Sequence, residues 1–172
     1  MSARGFGHAV PEDERSADMD RVSLTKVRVD LSGIVDDGWP PSTAEWLWAE
    51  DLGGGLFRID NVPIFARGIS SNDVVRAHKV DDRWEFDEVA RDGGHGTFRI
   101  MLQRGDSLAG EPAAELWAIL SDLGAAYEGY QGGPLFAIDV PPSEVVAARA
   151  VLERGEQLGV WEYEDGNVRS SS

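Results

Sequence analysis

Residue 97 divides this chain into two regimes of apolar spacing, and that division constrains the fold more than any other feature. Before it, short runs alternate apolar with polar residues and are broken by Gly, Pro or Asp; after it, two stretches repeat at spacings of three and four. Val22, Leu24, Val27, Val29 and Leu31 nearly alternate with polar neighbours, the pattern of a half-buried strand with one irregularity. A polar linker through Asp36-Asp37-Gly38 and Pro40-Pro41 follows. Residues 45–50 and 55–60 flank the turn-forming Gly53-Gly54, and residues 74–80 and 84–89 flank Asp81-Asp82-Arg83, so each pair reads as a hairpin. Short strands at such spacing without helices between them predict a small antiparallel barrel or a strongly bent sheet.

Beyond residue 97 the order is different. Residues 97–103 alternate as a strand. From Glu111 the chain turns helical, with Ala113, Leu116, Trp117, Leu120 and Leu123 on one face, Pro112 in the first turn and Gly124 as the left-handed stop. Strands at 126–131 and 135–140 are split by Gly132-Gly133-Pro134. A second helix opens at Pro142-Ser143-Glu144, buries Val145, Ala148, Val151 and Leu152, and ends near Gly159 before a last strand at 160–164. The expected fold is α+β: a small antiparallel β-barrel-like N-terminal half joined to a ferredoxin-like (βαββαβ) C-terminal half. The expected organisation is a flexible acidic tail (1–20), an all-β subdomain (21–96), a ferredoxin-like subdomain (97–168) sharing a core with it, and a tail (169–172).

Four motifs stand out: Trp48-Ala49-Glu50, the run from Phe57 to Ala66, Asn72-Asp73-Val74-Val75, and Gly94-His95-Gly96-Thr97. In these motifs the chain resembles the bacterial domain-of-unknown-function family 4265, over most of its length beyond the first twenty residues. The resemblance brings no established activity, cofactor or ligand set with it.

Charge narrows the partners. The chain carries 31 acidic and 16 basic residues, a formal net charge of -15. A nucleic-acid binder needs a basic face against phosphate, and here two lysines and thinly spread arginines supply none. The acidic excess keeps the chain soluble or steers it toward a cationic protein. There is no Cys, which excludes disulfides, thiolate metal sites and Cys nucleophiles, and no run approaches membrane-spanning length. The expected location is cytoplasmic.

The candidate site residues are few. His95, in a Gly-rich turn, is the candidate catalytic base, or else a structural or ligand-contacting residue beside Thr97. Arg58, Asp60 and Asn61 at a strand end could bind a small anion or a peptide backbone, or form an Asx turn with Arg58 paired to a neighbour. Asp73 reads as a loop-to-strand cap or a contact residue. His8, His78 and His95 lack metal-ligand spacing, so no metal and no cofactor are expected. Of the six tryptophans, Trp46, Trp48, Trp84, Trp117 and Trp161 fall on alternating elements and are expected mostly in the core, with Trp39 as an exposed anchor. The alternating Trp161-Glu162-Tyr163-Glu164 strand is a solvated face or a docking edge.

These features leave three functions. The first is a non-catalytic binding or regulatory protein that docks on a protein partner through its acidic surface and the exposed face of the ferredoxin-like sheet. The second is a small-molecule module sensing an amino acid or metabolite. The third is a hydrolase or isomerase using His95.

Overall fold

The computed structural model describes residues 22–103 and 107–169, so the expected tail at 1–20 lies outside the described residues. Five strands form the first unit: β1 (Leu24–Asp30), β2 (Ala44–Gly53), β3 (Leu56–Ile59), β4 (Val74–Val80) and β5 (Arg83–Arg91). Each pairs antiparallel with the next, and β1 also pairs with β5, so the sheet closes on itself. The four sequential pairs are antiparallel, as expected, and the closing pair alone is parallel. An odd number of strands that reverse at every step must bring the first and last together in the same direction.

The closed sheet has a narrow interior filled by Val27, Val29, Leu47, Ala49, Phe57, Ile59, Val75 and Ala77. Trp46 and Trp48, expected in the core, stand on its outer surface at 45% exposure each. The run from Glu45 to Glu50 carries apolar side chains on both parities, so alternation alone does not choose the face. Cross-strand register does: Leu47 stands opposite the inward Val27, whereas Trp46 and Trp48 stand opposite Arg28 and Lys26 on the outer face. Lys26, opposite Trp48 in the β1–β2 register, holds its ammonium 4.7 Å from that ring.

The second unit contains β6 (Gly96–Leu102), α1 (Ala113–Asp122), β7 (Ala126–Gly129), β8 (Leu135–Val140), α2 (Val145–Gln157) and β9 (Trp161–Asn167). Its open sheet runs β7-β8-β6-β9 with every neighbour antiparallel. Consequently β6 and β7 are parallel with β8 between them, and β8 and β9 are parallel with β6 between them. Each parallel pair is joined through one helix, giving two βαβ crossovers split by an inserted strand. On one face Phe98, Ile100, Ile138, Val140 and Trp161 pack against Leu116, Leu120, Ala148 and Leu152 of the helices. The indole N–H of Trp161 donates to the Leu152 carbonyl at 2.9 Å, tying β9 to α2.

The other face of the open sheet is covered, which overturns the expectation of an exposed face for partners. Thr97, Arg99, Ala137 and Asp139 point that way, and all are buried beneath the closed sheet and its long loop, residues 60–73. Read alone, Thr, Arg and Asp on one parity of a strand look like a wet face. Here they are a polar interface between layers. The two units therefore have separate cores on opposite sides of the open sheet, and only Leu135, with the partly buried Met101 and Tyr130, extends from that sheet into the core of the closed one.

Candidate functional site

The loop at 60–73 lies between the two sheets, and buried or half-buried polar groups hold it in place. Glu45 lies on the inward parity of β2, where Leu47 and Ala49 follow it, and its carboxylate accepts the backbone N–H groups of Ile64, Phe65 and Ala66 at 2.7, 2.9 and 2.7 Å. Arg99 of β6 answers from the other side, donating from Nε to the Ile64 carbonyl and from Nη2 to the Ala66 carbonyl at 2.9 Å. Burial pushes the Arg99 guanidinium below its usual range, partly offset by the charge of Glu164. Asn61 accepts the Trp48 N–H at 2.9 Å, and the Val62 N–H donates to Glu128 of β7 at 3.1 Å. The run from Phe57 to Ala66 is thus a clamp between layers.

His95 sits at the entrance to β6. Its Nδ1 lies 2.9 and 3.0 Å from the two carboxylate oxygens of Asp139, and its Nε2 lies 3.2 Å from the side-chain amide nitrogen of Asn72. With Asp139 as acceptor, Nδ1 carries the hydrogen and Nε2 accepts from the Asn72 amide. Both ring nitrogens are engaged. Burial raises the Asp139 carboxyl above its usual range, against the lowering effect of His95.

The glycines before His95 serve the backbone. A side chain at Gly93 would meet the Asn72 carbonyl oxygen at 2.4 Å, and Gly94 has a φ of +84°. The Gly93 N–H donates to Asp73 at 2.8 Å, so the turn is pressed onto the end of the 60–73 loop.

Asp73 is fully buried and is the anchor of a second polar cluster. It accepts the Ser70 N–H at 2.8 Å and a two-pronged contact from Arg169 at 3.0 and 3.1 Å. Arg169 also donates to Asp92 at 2.6 Å and to the Gly68 carbonyl at 2.8 Å, and hydrogen bonding to Asp73 raises its guanidinium above its usual range. Composition put Arg169 at the start of the C-terminal tail; here it is a strap across the junction. Thr97 is fully buried, its hydroxyl 2.8 Å from the Ser70 hydroxyl, which also accepts from the Asn167 amide at 2.8 Å.

The structure therefore gathers three of the sequence candidates, Asp73, His95 and Thr97, at the junction of the two sheets. Arg58 is elsewhere, paired with Glu50 at 2.7 Å across the β2–β3 register. Asp60 is exposed at the loop entrance, and Asn61 reaches across to Trp48 rather than forming a local Asx turn. Sequence reasoning missed Glu45, Arg99 and Asp139, although each showed the same signal: a charged residue on an inward or doubly buried strand position. Among the described residues no three His, Asp or Glu side chains converge to hold a metal, and no helix is long and apolar enough to cross a membrane.

A cleft of about 270 Å³ opens beside this junction, between the closed sheet and the β6–β9 edge. Ile34, Trp39, Phe65 and Met101 line one part, Arg67 and Arg99 another, and Glu162 and Glu164 the β9 wall.

With this geometry in view, the family is clear. A family model described as Domain of unknown function (DUF4265) matches residues 45–163. The chain belongs to that family. The match begins at Glu45, the carboxylate that holds the loop, and runs through the loop and the His95 turn to the first three residues of β9. The DUF4265 chain is also similar to a solved structure described as a novel crystal structure of a hypothetical protein from Neisseria gonorrhoeae, at 20% identity and a TM-score of 0.69 over 87% of this chain and 98% of the other. At that identity the likeness is one of fold. None of the curated proteins matches.

Proposed function

We propose that this protein is a non-catalytic cytoplasmic binding or regulatory protein that docks on a cationic protein partner through its acidic surface. The observation that carries this reading is how the basic groups are spent. Arg28, Arg58, Arg76, Arg83, Arg99, Arg149 and Arg169 are each in ion pairs within the chain, and Lys26 and Lys79 lie over indoles. With 31 acids against 16 bases overall, the charge left facing solvent is acidic. Reading the open sheet as ferredoxin-like and the closed sheet as a small barrel, packed against each other except at the cleft by β9, leaves the outer surfaces for docking. Catalysis by His95 has little support, because a base needs a free nitrogen near a nucleophile and here Asp139 and Asn72 take both nitrogens.

Affinity purification of the full chain tests this reading. A stoichiometric protein should be retained and released by salt, and His95→Ala should leave the association intact. Recovery of the bare protein alone would refute the reading.

A second reading, a small-molecule sensing module, is favoured by one observation. In the cleft beside Arg99, charged and aromatic side chains meet solvent together at the covered face of the open sheet.

A further inference from the structure

The cleft is divided by charge. On the β9 side, Glu162 and Glu164 are two residues apart on one face of the strand, and their register partners on β6 are Met101 and Arg99. Across from them, Arg67 comes from the 60–73 loop, close enough to Arg99 for its charge to depress that guanidinium further. Arg99 itself is 5% exposed and held rigidly by the two loop carbonyls, so its position is set before anything binds. The distance from Arg99 Nη1 to Glu164 is 3.5 Å, at the limit of a hydrogen bond, so this pair leaves capacity on both partners.

The third part of the cleft is apolar and unfinished. Trp39 packs edge-on against Phe65 with ring centroids 5.5 Å apart, yet remains 51% exposed, and Ile34 beside it is also exposed. Large apolar groups left open next to paired opposite charges match a ligand that carries a positive group, a negative group and an apolar body at once. Size limits it further. Pockets for drug-sized ligands start at about 300 Å³, so an open cleft of about 270 Å³ suits a single small molecule.

We infer that this cleft binds a free α-amino acid with an aromatic or branched apolar side chain. Its carboxylate meets Arg67 and the outer N–H groups of Arg99, its ammonium meets Glu162 and Glu164, and its side chain covers Trp39 and Ile34. The inference deepens the sensing reading and rests on it.

Thermal unfolding and calorimetric titration of the full chain test it, with L-phenylalanine, L-leucine and L-tryptophan as probes. Glycine, 3-phenylpropionate and 2-phenylethylamine each remove one of the three features. A saturable upward shift of the midpoint is expected with an apolar amino acid. Binding at least about tenfold weaker is expected for each truncated probe. Arg67→Ala should weaken binding by about tenfold or more while leaving the ligand-free midpoint unchanged, since Arg67 is exposed. Trp39→Ala should weaken the aromatic probes most. Equal binding of 3-phenylpropionate and phenylalanine would overturn the amino-acid assignment, and so would affinity unaltered by Arg67→Ala. Stabilisation only by metabolites that are not amino acids would overturn it while leaving the sensing reading standing; no stabilisation by either class would overturn both.

Discussion

Glu45→Ala is the perturbation that probes the clamp most sharply. One half-buried carboxylate accepts three consecutive backbone N–H groups, at 2.7, 2.9 and 2.7 Å, and thereby sets the conformation of the loop that covers the open sheet. A hydrogen bond to a charged group contributes on the order of 1.5–3 kcal/mol. Three bonds to one acceptor are not additive, and water re-solvates part of what the alanine leaves behind, so the expected loss is about 3–5 kcal/mol. Against a domain stability of about 5–15 kcal/mol this is a large fraction. In urea, with a slope of about 1–3 kcal/mol/M, it moves the unfolding midpoint down by about 2 M. Glu45→Gln keeps one acceptor oxygen and should lose about half as much. The assay is urea unfolding followed by tryptophan fluorescence. A loss under about 1 kcal/mol for the alanine variant, with an unchanged slope, would show that the loop is held by something other than Glu45.

Two further outcomes follow from the packing and the titration of buried groups. Leu120 of α1 is fully buried in the helix-side core, so Leu120→Ala should cost about 2–5 kcal/mol by chemical denaturation, and a cost well under about 1 kcal/mol would mean that the helix does not face the sheet. Asp139 has its carboxyl raised above the ordinary value of 3.8, chiefly by burial, so ionising it costs the folded state more than the unfolded chain. That cost is absent below the ordinary carboxylate range and complete once pH passes the raised folded value, so the Asp139 contribution to stability falls as pH climbs through that window. Asp139→Asn should remove this segment from the stability profile measured between about pH 3 and 7, and a variant profile that rises more weakly with pH than the wild type would contradict the sign.

How much of this was legible in the sequence depended on whether a residue's partner lay nearby. Every strand and both helices were readable from periodicity, because Val27-Val29, Leu47-Ala49 and Leu116-Leu120 obey spacings that belong to their own element. The ends were less so: β9 runs on to Asn167 through a bulge near Thr97 and Phe98, beyond the alternation that stops at Glu164. The faces of Trp46 and Trp48 were misread since apolar residues on both parities leave the choice to the cross-strand register with β1. The outer face of the open sheet was misread for a related reason. Thr97 and Arg99 are buried by a loop some thirty residues away in sequence, and Asp139 meets His95, 44 residues before it, so nothing local records that cover. Arg169 shows the limit most plainly, as its partner Asp73 lies 96 residues before it.

The central claim, that this chain acts by docking its acidic surface on a cationic protein, is tested most directly by the association rate as a function of salt. The retained partner should be purified and mixed with the full chain in stopped flow at ionic strengths from about 20 to 300 mM, across which the screening length falls from about 20 to 6 Å. Steering by a net charge of -15 should make the rate fall by about tenfold or more over that range while the dissociation rate changes little. A rate independent of salt, or one that rises with it, would contradict the account.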